Sequence, residues 1–344
     1  MPGWLSLWFY IVPLATPATL ASAGLSSTDS LPKSLRRNEP AGFVRFAEFD
    51  ASRLPPGPRK APLDGQVGAW YALQPQNPNL QIVEDPSAPA SPPYVITTRF
   101  PARFKAGRGP VNFGGWDRQG EFDGQKAKVY MTMWIKLDGA DYENQAVGTK
   151  VGMLASAAHP SIGAGTQGIL FLKGQGRQQV ASAFKVEFHQ EFNAAWNPPF
   201  RNRHLEQNVN RRPVMTAGRW HQWEVLLELN QPGQRNGTFA WWIDGELIME
   251  YHDVTYLFGA HTTGFWQWKW NPTWGGTQGV RTRRDLMLID HVYFSGVPWT
   301  SGPRERPAGV PLPAWQRRQQ RQTGEGRHAR ERESVPAEAE DSTE

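Results

Sequence analysis

Alternating hydrophobicity and hairpin turns constrain the fold of this chain more than any other feature. Residues 128–137, KVYMTMWIKL, alternate apolar residues on one face with polar and aromatic residues on the other. Asp244-Gly245 separates two apolar runs, and this dipeptide suits the positive φ angles of a type I′ hairpin turn. Similar patterns predict strands at 183–189, 219–229, 238–251, 263–270 and 285–295. Because helical periodicity is nearly absent, the sequence predicts an all-β fold, an antiparallel two-sheet β-sandwich.

The two faces of these strands have different expected environments. We expect one face of 128–137 to meet the core; it carries Met131, Met133, Ile135 and Leu137. The opposite face, with Tyr130 and Trp134, is expected on an exposed sheet surface. The strand at 219–229 is expected to bury Trp223, Val225, Leu227 and Leu229.

Composition excludes several kinds of site. The 344 residues include 34 Gly and 29 Pro, which favour short strands and many turns over long helices. No cysteine is present, which excludes disulfides, thiol nucleophiles, zinc–thiolate sites and cysteine-bound iron–sulfur clusters. The 16 Trp residues suit flat surfaces for sugar rings, with core packing as the alternative.

The N-terminus has the features of an export signal. Residues 1–23 lack charge, are mostly apolar and end in Ala21-Ser22-Ala23, an A-x-A cleavage signal. A short membrane anchor is the alternative, but Pro13 and Pro17 disfavour a spanning helix. We therefore expect a secreted or periplasmic protein of a bacterial envelope, with no membrane span after signal cleavage.

The remaining chain divides into a linker at 24–40, a β-sandwich domain at 41–302 and a charged tail at 303–344. The tail is rich in Arg, Gln, Glu and Pro, and is expected to be disordered. Its opposite charges cancel, so the formal net charge of +5 belongs to the body of the chain. A mildly basic body is compatible with a polyanionic ligand. No pattern for a P-loop, zinc finger or recognition helix is present, so nucleic acid is not the expected partner.

The order of these motifs resembles the concanavalin A-like jelly roll. Within that fold, residues 41–298 are similar to polysaccharide lyases of families 14 and 20, which degrade alginate or glucuronan. The segments that carry the resemblance are TKVGML at 149–154, GRWHQWEVLLELN at 218–230, FAWWIDGELI at 239–248, NPTWGG at 271–276 and DLMLIDHVYFSG at 285–296. These motifs specify fold better than activity. The resemblance implies β-elimination at a uronic acid within an anionic polysaccharide.

Such a lyase neutralises the C6 carboxylate of the uronate, removes the C5 proton and protonates the leaving oxygen. Lys150 lies in the segment that resembles the lysine-containing motif of the family. We expect Lys150 and Lys185 to neutralise the carboxylate or act as base. His189 and Tyr130 are candidates for the base or the acid. Each also has a structural alternative, as an exposed strand residue or a residue that covers the sheet.

Further residues are candidates for substrate binding. Trp134 and Trp268 offer indole faces for sugar stacking. Gln267 and Lys269 alternate with tryptophans on one strand, and Glu187 shares a predicted strand face with Lys185 and His189. Core packing is the alternative for the tryptophans.

Other functions stay open. The tyrosine pair expected from the family is not found at 190–200, where Phe192 and Trp196 stand, so a non-catalytic carbohydrate-binding module is the main alternative. A glycoside hydrolase needs paired carboxylates, and Glu187 and Glu191 are too far apart along a strand. A structural envelope protein is the fourth hypothesis. We expect a monomer and no cofactor; Asp290 is expected to make a structural hydrogen bond, with a Ca²⁺ ligand as the alternative.

Overall fold

The computed structural model describes residues 31–54, 57–58, 66, 69–72, 78–111, 113–116, 125–138, 149–159, 164–173, 183–188, 205–210, 215–231, 234–256, 264–275 and 279–299. The strands are β1 (Val44–Phe49), β2 (Gly57–Pro58), β3 (Ala69–Ala72), β4 (Leu80–Glu84), β5 (Tyr94–Phe100), β6 (Phe113–Trp116), β7 (Lys126–Leu137), β8 (Thr149–His159), β9 (Ala164–Lys173), β10 (Ala183–Phe188), β11 (Leu205–Glu206), β12 (Trp220–Glu228), β13 (Gly237–Ile243), β14 (Glu246–Val254), β15 (Phe265–Trp270), β16 (Thr273–Trp274) and β17 (Asp285–Pro298). The prediction of an all-β fold is confirmed. No helix within the described residues is long and apolar enough to cross a membrane.

The strands form two antiparallel sheets. The first sheet has the order β2-β4-β5-β17-β7-β12-β13-β14, and β1 pairs with the second half of β17 beside β5. The second sheet has the order β3-β6-β15-β8-β9-β10-β11, and β16 pairs with the start of β8. Phe265 pairs with Lys126 and links the two sheets. This is the jelly-roll sandwich that the sequence resemblance predicts.

The core contains the apolar faces of both sheets. The first sheet contributes the predicted inward residues of β7, together with Trp223, Val225 and Leu227 of β12, and all are buried. The second sheet contributes Trp268 and Trp270, which are 0% exposed. Ring contacts hold the aromatic centre together, with Trp70 stacked on Phe113 at 5.5 Å and Trp223 edge-on to Trp241 at 4.9 Å. Alternation therefore predicted the core-facing residues of β7 and β12 correctly, except that Leu229, just beyond β12, is only partly buried.

The hairpin between β13 and β14 also follows its local sequence. Asp244 and Gly245 have φ angles of 52° and 82°, the positive values that a type I′ turn needs. The Asp244 carboxylate has a second task, because it accepts hydrogen bonds from His221 Nδ1 at 2.7 Å and from the Gln222 backbone N–H at 2.8 Å. The turn residue thereby fixes the start of β12.

The outer face of the first sheet is covered, which differs from the sequence prediction. Residues 31–43, named the strap below, cross this face and contact Tyr130, Trp134 and Tyr293. Leu31 is 3% exposed, although 24–40 is predicted as a linker. Sequence alternation separates the two faces of a strand, but it cannot show that another segment of the chain covers the second face.

Buried carboxylates hold the strap in place. Glu224 accepts hydrogen bonds from the Asn38 backbone N–H and from Asn38 Nδ2, both at 2.9 Å. Glu48 accepts one from the Leu31 backbone N–H at 3.1 Å. The donors belong to the strap, so docking adds hydrogen bonds to carboxylates that also accept from Tyr130, in the case of Glu224, and from His291 and Arg45, in the case of Glu48.

Candidate functional site

The second sheet brings Lys150 and Lys185 into one transverse row. Lys150 on β8 pairs with Phe171 on β9, and Phe171 pairs with Lys185 on β10. The row continues to Thr273 on β16 at one end and to Glu206 on β11 at the other. Neighbouring strands lie about 4.8 Å apart, so the backbones of the two lysines are about 10 Å apart. The sequence proposed both lysines for one site, and the strand register is compatible with that.

A third lysine occupies a neighbouring row. Lys269 on β15 pairs with Met153 on β8, and the row continues through Ile169 to Glu187 on β10. Side chains alternate across a strand, so the buried Trp268 and Trp270 place Lys269 on the face away from the core.

The two rows belong to the same face of the second sheet. Ile169 and Phe171 are two positions apart on β9, which is one full repeat of the strand and a separation of about 7 Å. In the strand register, Lys150 and Lys185 therefore share one row, and Lys269 lies in the neighbouring row. Gln267 on β15 pairs with Ala155 and extends the same face by one more row.

Burial lowers the pKa of Lys269 below its ordinary value. The charged form of an amine is disfavoured where water is excluded, so the neutral form is populated at lower pH than in a solvated lysine. A neutral amine can accept a proton. Lys269 is therefore suited to act as a general base as well as to bind an anion.

Charge differs between the two sheets. The strands of the first sheet carry nine Asp and Glu against five Lys and Arg, whereas those of the second carry four Lys against two Glu. The excess of carboxylates lies on the first sheet, away from the lysine rows. The second sheet is thus the better surface for a polyanion.

Tyr130 and Trp134 are not brought together with the lysines. Both lie on β7 in the first sheet, beneath the strap, and they are 0% and 4% exposed. Tyr130 donates its hydroxyl hydrogen to Glu224. Burial, and then the charge of Glu224, raise the pKa of Tyr130 well above its ordinary range, which makes the phenol a poor proton donor or base at neutral pH.

The other predicted residues fall in several places. Trp268 is in the core, where it contacts Phe113 edge-on at 5.8 Å, so the structure shows the packing alternative for this residue. Glu187 lies in the row of Lys269. His189 lies outside the described residues. Asp290 makes the structural hydrogen bonds expected of it, accepting from the Ala90 backbone N–H at 2.6 Å and from Ser91 Oγ at 2.6 Å.

No group of three or more His, Asp or Glu side chains within the described ranges is arranged to hold a metal ion. Both oxygens of Asp290 already accept hydrogen bonds from the segment before β5. Lysine side chains bind anions, and an amine whose pKa is lowered, as in Lys269, can also transfer protons.

Solved structures with a similar fold include polysaccharide lyases. A double mutant of the alginate lyase Aly36B, in complex with an alginate tetrasaccharide, matches with a TM-score of 0.52 at 12% identity and covers 75% of this chain and 99% of its own. Aly36B itself matches at 0.50 with 11% identity and the same coverages. An endo-beta-1,4-glucuronan lyase from the fungus Trichoderma reesei matches at 0.44 with 13% identity, over 71% of this chain and 95% of its own.

No protein-family model and no curated protein matches the sequence. The likeness to Aly36B therefore rests on the arrangement of the strands, since identities of 11–12% show the fold alone. The chain shares its jelly-roll fold with the alginate lyase Aly36B.

Proposed function

We propose that this protein is a polysaccharide lyase that cleaves a uronic-acid-containing polymer by β-elimination. One observation carries the proposal: Lys150 and Lys185 flank Phe171 in a single row, on the sheet whose strands have an excess of lysine. Aly36B, whose fold is similar, was solved with an alginate tetrasaccharide, which makes alginate the first substrate to test.

Carboxylate neutralisation is assigned to Lys150 and Lys185. The C5 proton of a uronate is weakly acidic because the adjacent C6 carboxylate opposes further negative charge. Two ammonium groups beside that carboxylate would stabilise the charge that develops in the enolate-like transition state.

Proton abstraction is assigned to Lys269. Its neutral amine takes the C5 proton, the electrons of the C5–H bond form the C4–C5 double bond, and the C4–O bond breaks. The leaving oxygen takes a proton from a donor or from water. The lowered pKa of Lys269 supports this assignment, because a base is most effective when its pKa lies nearer the working pH.

Export belongs to the same proposal. A polymer of uronic acids lies outside the cell, and the apolar leader ending at Ala23 would deliver the protein to the periplasm or the medium. The products would be oligosaccharides with an unsaturated uronate at the non-reducing end.

The test measures ultraviolet absorbance of the unsaturated product. Purified protein is incubated with alginate, glucuronan and glycosaminoglycans, and we expect a rise with at least one of them. The rise should be lost in Lys150→Ala and Lys185→Ala. Lys128→Ala is the matched control, because Lys128 lies on the first sheet and forms a half-exposed ion pair with Glu228, so its loss should leave turnover unchanged.

A non-catalytic carbohydrate-binding module is the second candidate. It is favoured by the position of Tyr130, a predicted proton donor that lies buried on the other sheet. Retention of the protein on an alginate gel without any unsaturated product would establish binding and contradict the lyase.

A further inference from the structure

Residues 103–108 form a basic edge beside the second sheet. Arg103, Lys105 and Arg108 are exposed, and they are named the basic rim below. The backbone of Arg108 forms an isolated β-bridge with Trp274, and Trp274 pairs with Thr149, the neighbour of Lys150. The rim therefore lies two strand spacings from the start of β8, about 10 Å away.

The rim is unusually free of opposite charge. Segments 101–116 and 264–284 contain seven Lys and Arg and no Asp or Glu, and the following residue, Asp285, pairs with two of the seven, Arg281 and Arg283. Within the part of the chain that the structure describes, Arg103, Lys105 and Arg108 form no ion pair and no side-chain hydrogen bond. Protein surfaces usually intersperse the two signs of charge, and a field of one sign attracts ligands of the other.

The backbone of the rim is held firmly. The Arg103 N–H donates to the Arg281 carbonyl at 2.9 Å, and the Arg281 N–H donates to the Phe104 carbonyl at 2.9 Å. The Gly107 N–H donates to the Trp274 carbonyl at 2.7 Å, and the Trp274 N–H donates to the Arg108 carbonyl at 3.1 Å. A fixed backbone holds the three Cα positions in place, so binding has to order the side chains but not the segment itself.

We propose that the basic rim is a second binding surface for a carboxylate-bearing polysaccharide. It lies beside the start of β8 and holds the part of the polymer that lies beyond the reacting sugar. The identity of the ligand rests on the proposed function, whereas the location of the surface rests on the rim alone. The protein should consequently prefer long polyuronates to short ones.

The test compares two variants of equal net charge. Lys105→Glu/Arg108→Glu reverses two charges of the rim. Arg37→Glu/Arg219→Glu reverses two exposed charges next to the first sheet, where the Arg37 side chain donates to the Ser34 carbonyl. Binding is measured as retardation in gels that contain alginate polymer, and turnover is measured on the polymer and on an alginate trisaccharide.

We expect the rim variant to bind the polymer about tenfold more weakly than the parent and to depend less on salt. Its turnover of the trisaccharide should equal that of the parent. The control variant should bind within about twofold of the parent.

Equal weakening in both variants, a parent that alginate does not retard, or equal retardation of the parent by duplex DNA would overturn the proposal. Polymer retention that depends on the rim in a protein that cleaves nothing would support the rim and refute the lyase. Cleavage with a rim variant that behaves as the control does would refute the rim and leave the lyase standing.

Discussion

Lys269 is the residue of the proposed site whose protonation depends most on how the chain folds. It stands between Trp268 and Trp270, whose indoles fill the core, and strand alternation gives it no other face to occupy. The sequence pattern assigns Lys269 to substrate binding, because this residue alternates with tryptophans on one strand. Alternation predicts the face on which a residue lies but not how much water reaches it, so the role of a base could not be inferred. Its lowered pKa is a consequence of packing around β15.

Replacing Lys269 should remove the proposed base without disturbing the core. We expect Lys269→Met to reduce turnover at least about 100-fold, the usual contribution of a general base. Lys269→Arg should be equally inactive, because a guanidinium keeps its protons at any working pH. The parent should gain activity as the pH rises through the pKa of Lys269, below the range of a solvated lysine. The measurement is a pH profile of kcat/KM.

Stability supplies the control for this residue. The folded-state pKa is lowered, so the unfolded chain holds this proton more tightly; the buried amine costs stability once the pH falls below the unfolded value of 10.5, and the cost is complete below the folded pKa. Lys269→Met should therefore melt no lower than the parent at neutral pH. An inactive variant that melts well below the parent would indicate a structural role, and an active one would contradict the assignment.

At the scale of elements, the strap depends on ionised Glu48. Burial alone would raise the pKa of Glu48, but the hydrogen bond and charge of His291, followed by Arg45 and the Leu31 N–H, outweigh burial and lower it. These contacts are 2.8 Å to His291 Nε2 and 2.6 Å to Arg45. One carboxylate thus joins the first residue of the strap to β1 and β17.

This predicts acid release of the strap. With the folded pKa below the value of 4.5 in the unfolded chain, the stabilisation is complete above that pH and is lost as the pH falls through the folded pKa. Glu48→Gln should lower the free energy that holds the strap in place by on the order of 2 kcal/mol at neutral pH. The stability of the strap should then fall less as the pH is lowered. Hydrogen exchange of the strap amides over a pH series measures both effects. Parallel acid profiles for parent and variant would contradict the role of Glu48.

Close approach of β7 and β17 leaves no room for a side chain at Gly296. A Cβ there would lie 2.1 Å from the Lys128 carbonyl oxygen, which belongs to the backbone and cannot turn away. Gly296→Ala should therefore destabilise the fold by about 3 kcal/mol. Gly42→Ala is the comparison: its Cβ would meet nothing within 4 Å, so only its φ of 81° opposes alanine, at about 1 kcal/mol. Chemical denaturation compares the two, and equal losses would contradict the steric argument.

Several strands and the hairpin were predictable from the sequence, whereas the pairing between strands was not. Alternation and the Asp244-Gly245 turn depend on neighbours in sequence, so β7, β10, β12–β15 and β17 and the hairpin between β13 and β14 follow from the sequence, whereas β1–β6, β8, β9, β11 and β16 do not. The row of Lys150, Phe171 and Lys185 depends on the register of three strands, which no local pattern encodes. The cover over Tyr130 is equally non-local, because the strap lies far from β7 in the sequence.

At the scale of the whole molecule, the two sheets of the sandwich carry net charges of opposite sign. Carboxylates gather on the first sheet, where the strap and its partners use several of them for docking, and lysines are in excess on the second sheet. The formal net charge of +5 hides this separation, since opposite signs on the two sheets partly cancel. A polyanion should approach the second sheet preferentially, and ionic strength should weaken that approach.

The final prediction concerns selectivity and salt. The protein should be retained by alginate or glucuronan and not by a neutral glucan, and retention should weaken steeply between low and physiological ionic strength, where the screening length falls to about 8 Å. Lys150→Ala/Lys185→Ala should reduce the salt dependence, whereas Lys128→Ala on the first sheet should leave it unchanged, because that lysine already pairs with Glu228. Affinity electrophoresis over a salt series measures all three. Salt-insensitive retention by a neutral glucan would instead indicate sugar stacking on an aromatic surface, and the lysine rows would then have no part in recognition.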